Sequence, residues 1–253
     1  MNIATSPQKL FQRSVNIERD ADNQSLIETF IPSPTASNVL SDMAEALSQG
    51  QAAFTWTGAY GSGKSLLAII LNHLLEGLSD NKGFEIEHKF DGKVSEAYSH
   101  LYSEESPRVI RLIAKNDELE AQIVDAVIHG IGSSSVSKDD DLEVLLEKCS
   151  MERPIVLIVD ELGKFFDACA RKNSDVFVLQ RLAEFANRSN NRFVFLGLLH
   201  QAFSQYASGI SAVASNEWSK VQGRFMDIPF NLSLEEQVQL LRASLQSRTS
   251  NWS

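Results

Sequence analysis

Eight consecutive residues, Gly58-Ala59-Tyr60-Gly61-Ser62-Gly63-Lys64-Ser65, follow the pattern Gly, four free positions, Gly-Lys-Ser. That spacing builds a phosphate cradle. Gly58, Gly61 and Gly63 let backbone N–H groups approach an anion closely, because no Cβ intervenes and positive φ is open to them. A helix starting near Lys64 would add its free N–H groups and the positive end of its dipole. Lys64 would set its ammonium against the β- and γ-phosphates of a nucleoside triphosphate, and Ser65 would give its hydroxyl to Mg²⁺. The flanks suit this: Ala52, Ala53, Phe54 and Trp56 read as a strand, and Leu66, Leu67, Ala68, Ile69, Ile70 and Leu71 as an apolar helix.

A phosphate cradle of this kind needs an acid on a neighbouring strand. The run Pro154-Ile155-Val156-Leu157-Ile158-Val159 reads as a strand buried on both faces, as in a parallel sheet. It ends in Asp160-Glu161. Asp160 would hold Mg²⁺ through water, and Glu161 would polarise an attacking water as general base. Two carboxylates at the carboxyl end of a buried strand suit the crevice of an open α/β sheet. A guanine-reading Asn-Lys-x-Asp is missing, since Lys115-Asn116-Asp117 runs in the wrong order. ATP is therefore the favoured ligand, with hydrolysis favoured over binding alone.

Further elements must position these groups. Residues 1 to about 35 show no clear periodicity, and Pro32-Ser33-Pro34 marks an extended entry. Ser37–Leu47 reads as an amphipathic helix ended by Gly50. After the helix that follows the cradle, residues 79–105 are polar and irregular, with a short strand candidate at Phe84–Phe90. Val109–Ala114 is a second core strand and Asp117–Ile128 a helix. Gly130–Asp141 is a Gly/Ser-rich and then acidic loop, and Leu142–Leu146 opens a short helix. Beyond Glu161, Leu162–Ala170 and Val176–Asn187 read as helices, Arg192–Leu199 as a buried strand and Phe225–Phe230 as a short last one. Ser233-Leu234-Glu235-Glu236 is a capping-box helix start. No internal repeat is visible.

The order along the chain (cradle strand, an intervening strand, the Asp160-Glu161 strand, then the strand ending in His200-Gln201) resembles that of P-loop ATPases with an additional strand, and this resemblance implies that the last strand lies between the cradle strand and the Asp160 strand. His200 or Gln201 would then face the γ-phosphate and orient water. His200 reads equally well as a capping or core histidine. Arg224, in Gly223-Arg224-Phe225, lies at the rim and not in its own site. It suits an arginine finger lent in trans to a neighbouring copy.

The 253 residues suffice for one large α/β domain. With 43% hydrophobic and 22% charged residues the composition is globular. No apolar run is long enough to span a membrane and the N-terminus lacks a signal-peptide pattern. Cys149 and Cys169 read as reduced thiols, so the expected location is the cytoplasm. The net charge of −10 argues against nucleic-acid binding through bulk charge. A basic groove would require the fold to gather Arg108 with Arg111, or Arg181, Arg188 and Arg192.

Taken together these residues resemble the AAA+ superfamily, nearest its initiator and signalling branches. More closely, Tyr60–Ser65, Asp160-Glu161-Leu162-Gly163-Lys164-Phe165, His200-Gln201-Ala202-Phe203 and Gln222-Gly223-Arg224-Phe225 are similar to the N-terminal ATPase core of large bacterial anti-phage ATPases of the BREX type. The similarity covers roughly residues 25–245. It implies a three-layer P-loop sandwich with a mainly parallel five-stranded sheet, self-assembly, and ATP-driven assembly or remodelling in a phage-defence complex, on DNA or with other defence proteins. AAA+ cores carry a helical lid that supplies a sensor arginine. Here one helix follows Phe230, Arg242 fits that role poorly, and the lid is expected to be truncated or absent, as in the front of a longer protein. The expected division is an N-terminal extended segment (1–35), a P-loop core (36–232) and the start of a lid or C-terminal helix (233–253). Two other readings stand beside the ATPase: a nucleotide-gated scaffold with little hydrolysis, and a replication-initiator-like DNA loader.

Overall fold

Five apolar runs become five strands: β1 (Ala53–Thr57), β2 (Arg108–Ile113), β3 (Ile155–Asp160), β4 (Phe193–Leu199) and β5 (Met226–Pro229). The computed structural model describes residues 14–78, 89–90, 92–116, 118–132, 136–172, 176–206 and 212–249. The strands form one sheet in the order β2-β3-β4-β1-β5, and every pairing is parallel. The expected five-stranded sandwich is present. β3 and β4 are buried at every position, as central strands covered on both faces must be. β5, at an edge, buries only Ile228.

The helices are α1 (Gln24–Thr29), α2 (Pro34–Ser48), α3 (Lys64–Gly77), α4 (Lys93–Leu101), α5 (Leu119–Ile131), α6 (Leu142–Glu152), α7 (Leu162–Lys172), α8 (Phe177–Arg188), α9 (Phe203–Tyr206), α10 (Ala212–Gln222) and α11 (Leu234–Thr249). Right-handed crossovers put the β1-to-β2 connection on one face and all later connections on the other. Accordingly α2 packs on α4, while α7, α8, α9 and α10 contact one another on the opposite face.

Two expectations need correction. The N-terminal segment is not simply extended. Residues 24–29 are helical, and Ile17, Ala21, Ile27 and Phe30 are buried in the core. Six residues are too few to display a helical period, so tertiary burial decides this stretch. Residues 93–101, read as irregular, form α4. Its buried Val94 and Tyr98 face α2, and the Tyr98 hydroxyl donates to Leu40 O at 3.0 Å. The α9–α10 pair between β4 and β5 was not anticipated. The strand suggested at Phe84–Phe90 lies outside the described residues except for Lys89 and Phe90, which are in a turn. Asp117 and residues 133–135 of the acidic loop also lie outside them.

At the other end the capping box forms as the sequence requires. Ser233 N–H donates to Glu236 Oε2 at 2.8 Å, and Glu236 N–H donates to Ser233 Oγ at 3.2 Å. The same carboxylate accepts from Thr35 N–H at 2.7 Å and Thr35 Oγ at 2.9 Å. One side chain thus ties the start of α11 to the start of α2.

Candidate functional site

The carboxyl ends of β1, β4 and β3 meet at one edge of the sheet. The cradle runs from β1 into α3, with Gly61 at φ 74° and Gly63 at φ 103°. Those left-handed positions turn the loop around its own amides. Gly58 is needed for a different reason: a Cβ there would stand 2.2 Å from Phe230 O at the end of β5. Its N–H donates to Leu199 O at 3.1 Å, which locks the loop to β4.

Lys64 is 4% exposed. Its ammonium lies inside the loop and donates to Gly58 O, to Ala59 O at 2.9 Å and to Ser62 Oγ at 3.2 Å. Burial lowers its pKa, with Asp160 working in the other direction.

Ser65 Oγ donates to Asp160 Oδ2 at 2.8 Å, while Asp160 Oδ1 accepts Glu161 N–H at 2.7 Å. Asp160 is 5% exposed, and burial raises its pKa against these two hydrogen bonds. A hydroxyl and a carboxylate within hydrogen-bonding reach fit the protein's share of a Mg²⁺ site, whose other ligands are phosphate oxygens and water. No cluster of three or more His, Cys, Asp or Glu occurs among the described residues, so a metal cage made wholly of protein ligands is not formed there.

Glu161 turns the chain out of β3 in left-handed backbone, φ 54°. Its carboxylate is ion-paired to Lys164 of α7. His200 follows β4, level with Gly58 through the register Thr57–Leu199. Its ring stacks on Tyr60 of the loop, with centroids 3.4 Å apart and planes 21° from parallel. Neither ring nitrogen has a hydrogen-bond partner among the described residues. Burial, then the Lys64 charge, lowers the His200 pKa. Asp160, Glu161, Lys64, Ser65, Tyr60 and His200 are therefore brought to one edge.

Arg224 is not brought there. The register of β5 on β1 sets Arg224 level with Ala52. Gly58 lies six residues further along, roughly 20 Å at the strand rise. Arg224 Nε pairs with Glu184 at 2.7 Å and a terminal nitrogen donates to Lys220 O at 2.7 Å. The cluster of Arg181, Arg188 and Arg192 is neutralised. Arg181 pairs with Glu120, Asp141 and Glu143 at 3.2, 3.0 and 3.1 Å. Arg188 pairs with Glu143 at 3.4 Å and Arg192 with Glu105 at 3.9 Å. The groove lined by Arg181, Arg188 and Arg192 carries Asp141, Glu143 and Glu147 as well. The condition for a basic groove is not met by these three arginines.

A cavity of about 590 Å³ opens beside the cradle. Gly63 and Leu66 form one wall, Leu26 and Phe30 of the N-terminal segment another, and Leu232 and Leu240 a third. It is apolar, and it is large enough for a nucleoside. The sequence did not show it, because its walls come from segments about 200 residues apart with no shared motif.

The fold is a three-layer α/β sandwich with a parallel five-stranded sheet and a P-loop between β1 and α3. No protein-family profile and no curated protein matches the sequence. Solved structures do. The Aeropyrum pernix ORC2 protein in its ADPNP–ADP complexes superposes with a TM-score of 0.51 at 16% identity, over 82% of this chain and 52% of that one. The ADP form of ORC2 gives 0.49 at 15% identity, over 88% and 57%. Domain III of the Thermotoga maritima replication initiation protein DnaA gives 0.41 at 14%, over 94% and 77%. The chain thus spans about half of the first of these proteins.

Proposed function

We propose that the chain binds ATP with Mg²⁺ and hydrolyses it in an assembly with itself or with partners. The observation that carries this reading is the Ser65–Asp160 hydrogen bond, 2.8 Å across 95 residues of sequence, with Lys64 buried beside it. Two separately encoded motifs meet in the arrangement that phosphoryl transfer uses. The loop amides of 58–65 and Lys64 would hold the β- and γ-phosphates. Ser65 and Asp160 would hold Mg²⁺, which supplies charge neutralisation at the phosphates when bound. Glu161 would accept a proton from the attacking water, and His200, neutral near pH 7, would orient that water. The base would enter the apolar cavity beside Gly63, closed by Phe30 and Leu240. Arg224 would act on the site of a second copy, since it is too far from its own.

The test is ATP hydrolysis against protein concentration, wild type beside Glu161→Gln. Turnover per chain should rise with concentration and vanish in the variant, while nucleotide binding persists. A flat, near-zero rate with intact binding would select the scaffold reading instead. The ORC2 likeness favours a third reading, a DNA loader, and duplex binding that weakens steeply with salt would support it. The phage-defence role rests on the motif resemblance alone, and a cytoplasmic location on Cys149 and Cys169 read as reduced thiols. No described helix is long and apolar enough to cross a membrane.

A further inference from the structure

The start of α7 carries a cation that the ATPase reading leaves unused. Lys164 lies three residues after Glu161, and its ammonium pairs with Glu161 Oε2. The backbone enforces this approach: Lys164 N–H donates to Glu161 O at 2.9 Å, closing one turn. Glu161 itself sits in left-handed backbone, which a non-glycine residue keeps only where its surroundings impose it. The Lys164 side chain is 57% exposed, whereas that of Glu161 is 33% exposed. The Lys164 charge also reaches His200, contributing to the lowered imidazole pKa after burial and Lys64. A solvent-exposed cation is thus placed against the one carboxylate that would have to be free to take a proton from water.

An ion pair at this spacing on an exposed helix start contributes little to stability. It does occupy Glu161. A γ-phosphoryl group carries more charge and more acceptor oxygens than one carboxylate, so it competes well for an ammonium within reach. A diphosphate lacks that group.

We propose that Lys164 is a γ-phosphate-responsive latch: it pairs with Glu161, and a bound triphosphate draws it onto the γ-phosphoryl oxygens, freeing the Glu161 carboxylate for water. The proposal rests on the ATPase reading above. Lys164 is a positioning residue for Glu161, and it gives the site part of its preference for triphosphate over diphosphate. A ligand shifts such a two-state contact only by its differential affinity, which is the quantity to measure.

The experiment compares affinities for a non-hydrolysable ATP analogue and for ADP, both with Mg²⁺, in wild type, Lys164→Met and Lys164→Arg. Lys164→Met should lose about fivefold or more of the triphosphate preference. Its ADP affinity should not change, which also reports that the cradle is folded. Lys164→Arg should keep most of the preference, since a cation is retained. An unchanged preference in Lys164→Met, or an equal loss for both nucleotides, overturns the latch. A wild type that binds neither nucleotide overturns the ATPase reading itself.

Discussion

Glu236 ties the start of α11 to the start of α2, and its removal has a calculable cost. Its carboxylate accepts from Ser233 N–H, Thr35 N–H and Thr35 Oγ at 2.8, 2.7 and 2.9 Å. Two of those donors are backbone amides at helix starts, where no intrahelical acceptor exists. Losing the capping interaction costs about 1 kcal/mol. The Thr35 pair adds about 1 kcal/mol more, because water can enter and re-satisfy part of what a charged acceptor supplied. Glu236→Ala should therefore destabilise the fold by about 2 kcal/mol. At this chain length that lowers Tm by roughly 4–8 °C. The pH dependence gives an independent check. Burial, the largest single influence, raises the Glu236 pKa. The hydrogen bonds from Thr35 and Ser233 together outweigh it and leave the folded value below the ordinary 4.5. A depressed carboxylate contributes stability that is fully present above its unfolded pKa and lost as pH falls through the folded one. The gap between wild type and Glu236→Gln, read from urea melts, should be constant from pH 7 to about 5 and shrink below 4.5. Equal stability of Glu236→Ala and wild type at pH 7 would refute the reasoning, as would a gap that ignores acid. The variant should also bind ATP more weakly, since the α2–α11 tie shapes the cavity.

Lys64→Ala should abolish measurable ATP binding in a fluorescent-nucleotide titration while leaving the far-ultraviolet spectrum intact, because the ammonium bonds only loop acceptors. Glu161→Gln should lower turnover by about 10²-fold or more with ATP affinity retained, the range for a lost general base. Arg224→Ala should lower turnover without lowering ATP affinity, and mixing it with Lys64→Ala protein should restore part of the rate. Its exposed pair with Glu184 contributes at most about 1 kcal/mol, so the melt should scarcely move. Gly58→Ala should weaken ATP binding at least tenfold, about what a shift of the loop or of Phe230 by an ångström costs. A normal affinity in that variant would mean that the 2.2 Å approach to Phe230 O relaxes freely.

What could be read from the chain was whatever chemistry compresses into a short span. The Gly58–Ser65 loop, the apolar run ending in Asp160-Glu161 and the Ser233–Glu236 capping box each declare themselves within about eight residues. The five strands were legible because parallel strands buried on both faces become unbroken apolar runs. The N-terminal helix, α4 and the α9–α10 pair were not. Their apolar positions, such as Ile27, Tyr98 and Phe203, are too few and too short-ranged to show a period, and only packing makes them helical. Tertiary structure alone decided that Tyr60 lies over His200, that Lys164 holds Glu161, and that Arg181 is neutralised by three carboxylates from two other helices and a loop. It also made a nucleoside-sized cavity from Phe30, Leu66 and Leu240. Local sequence fixes which groups can touch a phosphate, because the loop's own backbone does the touching. Which groups surround that phosphate depends on the order in which parallel strands are laid side by side, and that order comes from crossovers longer than any motif.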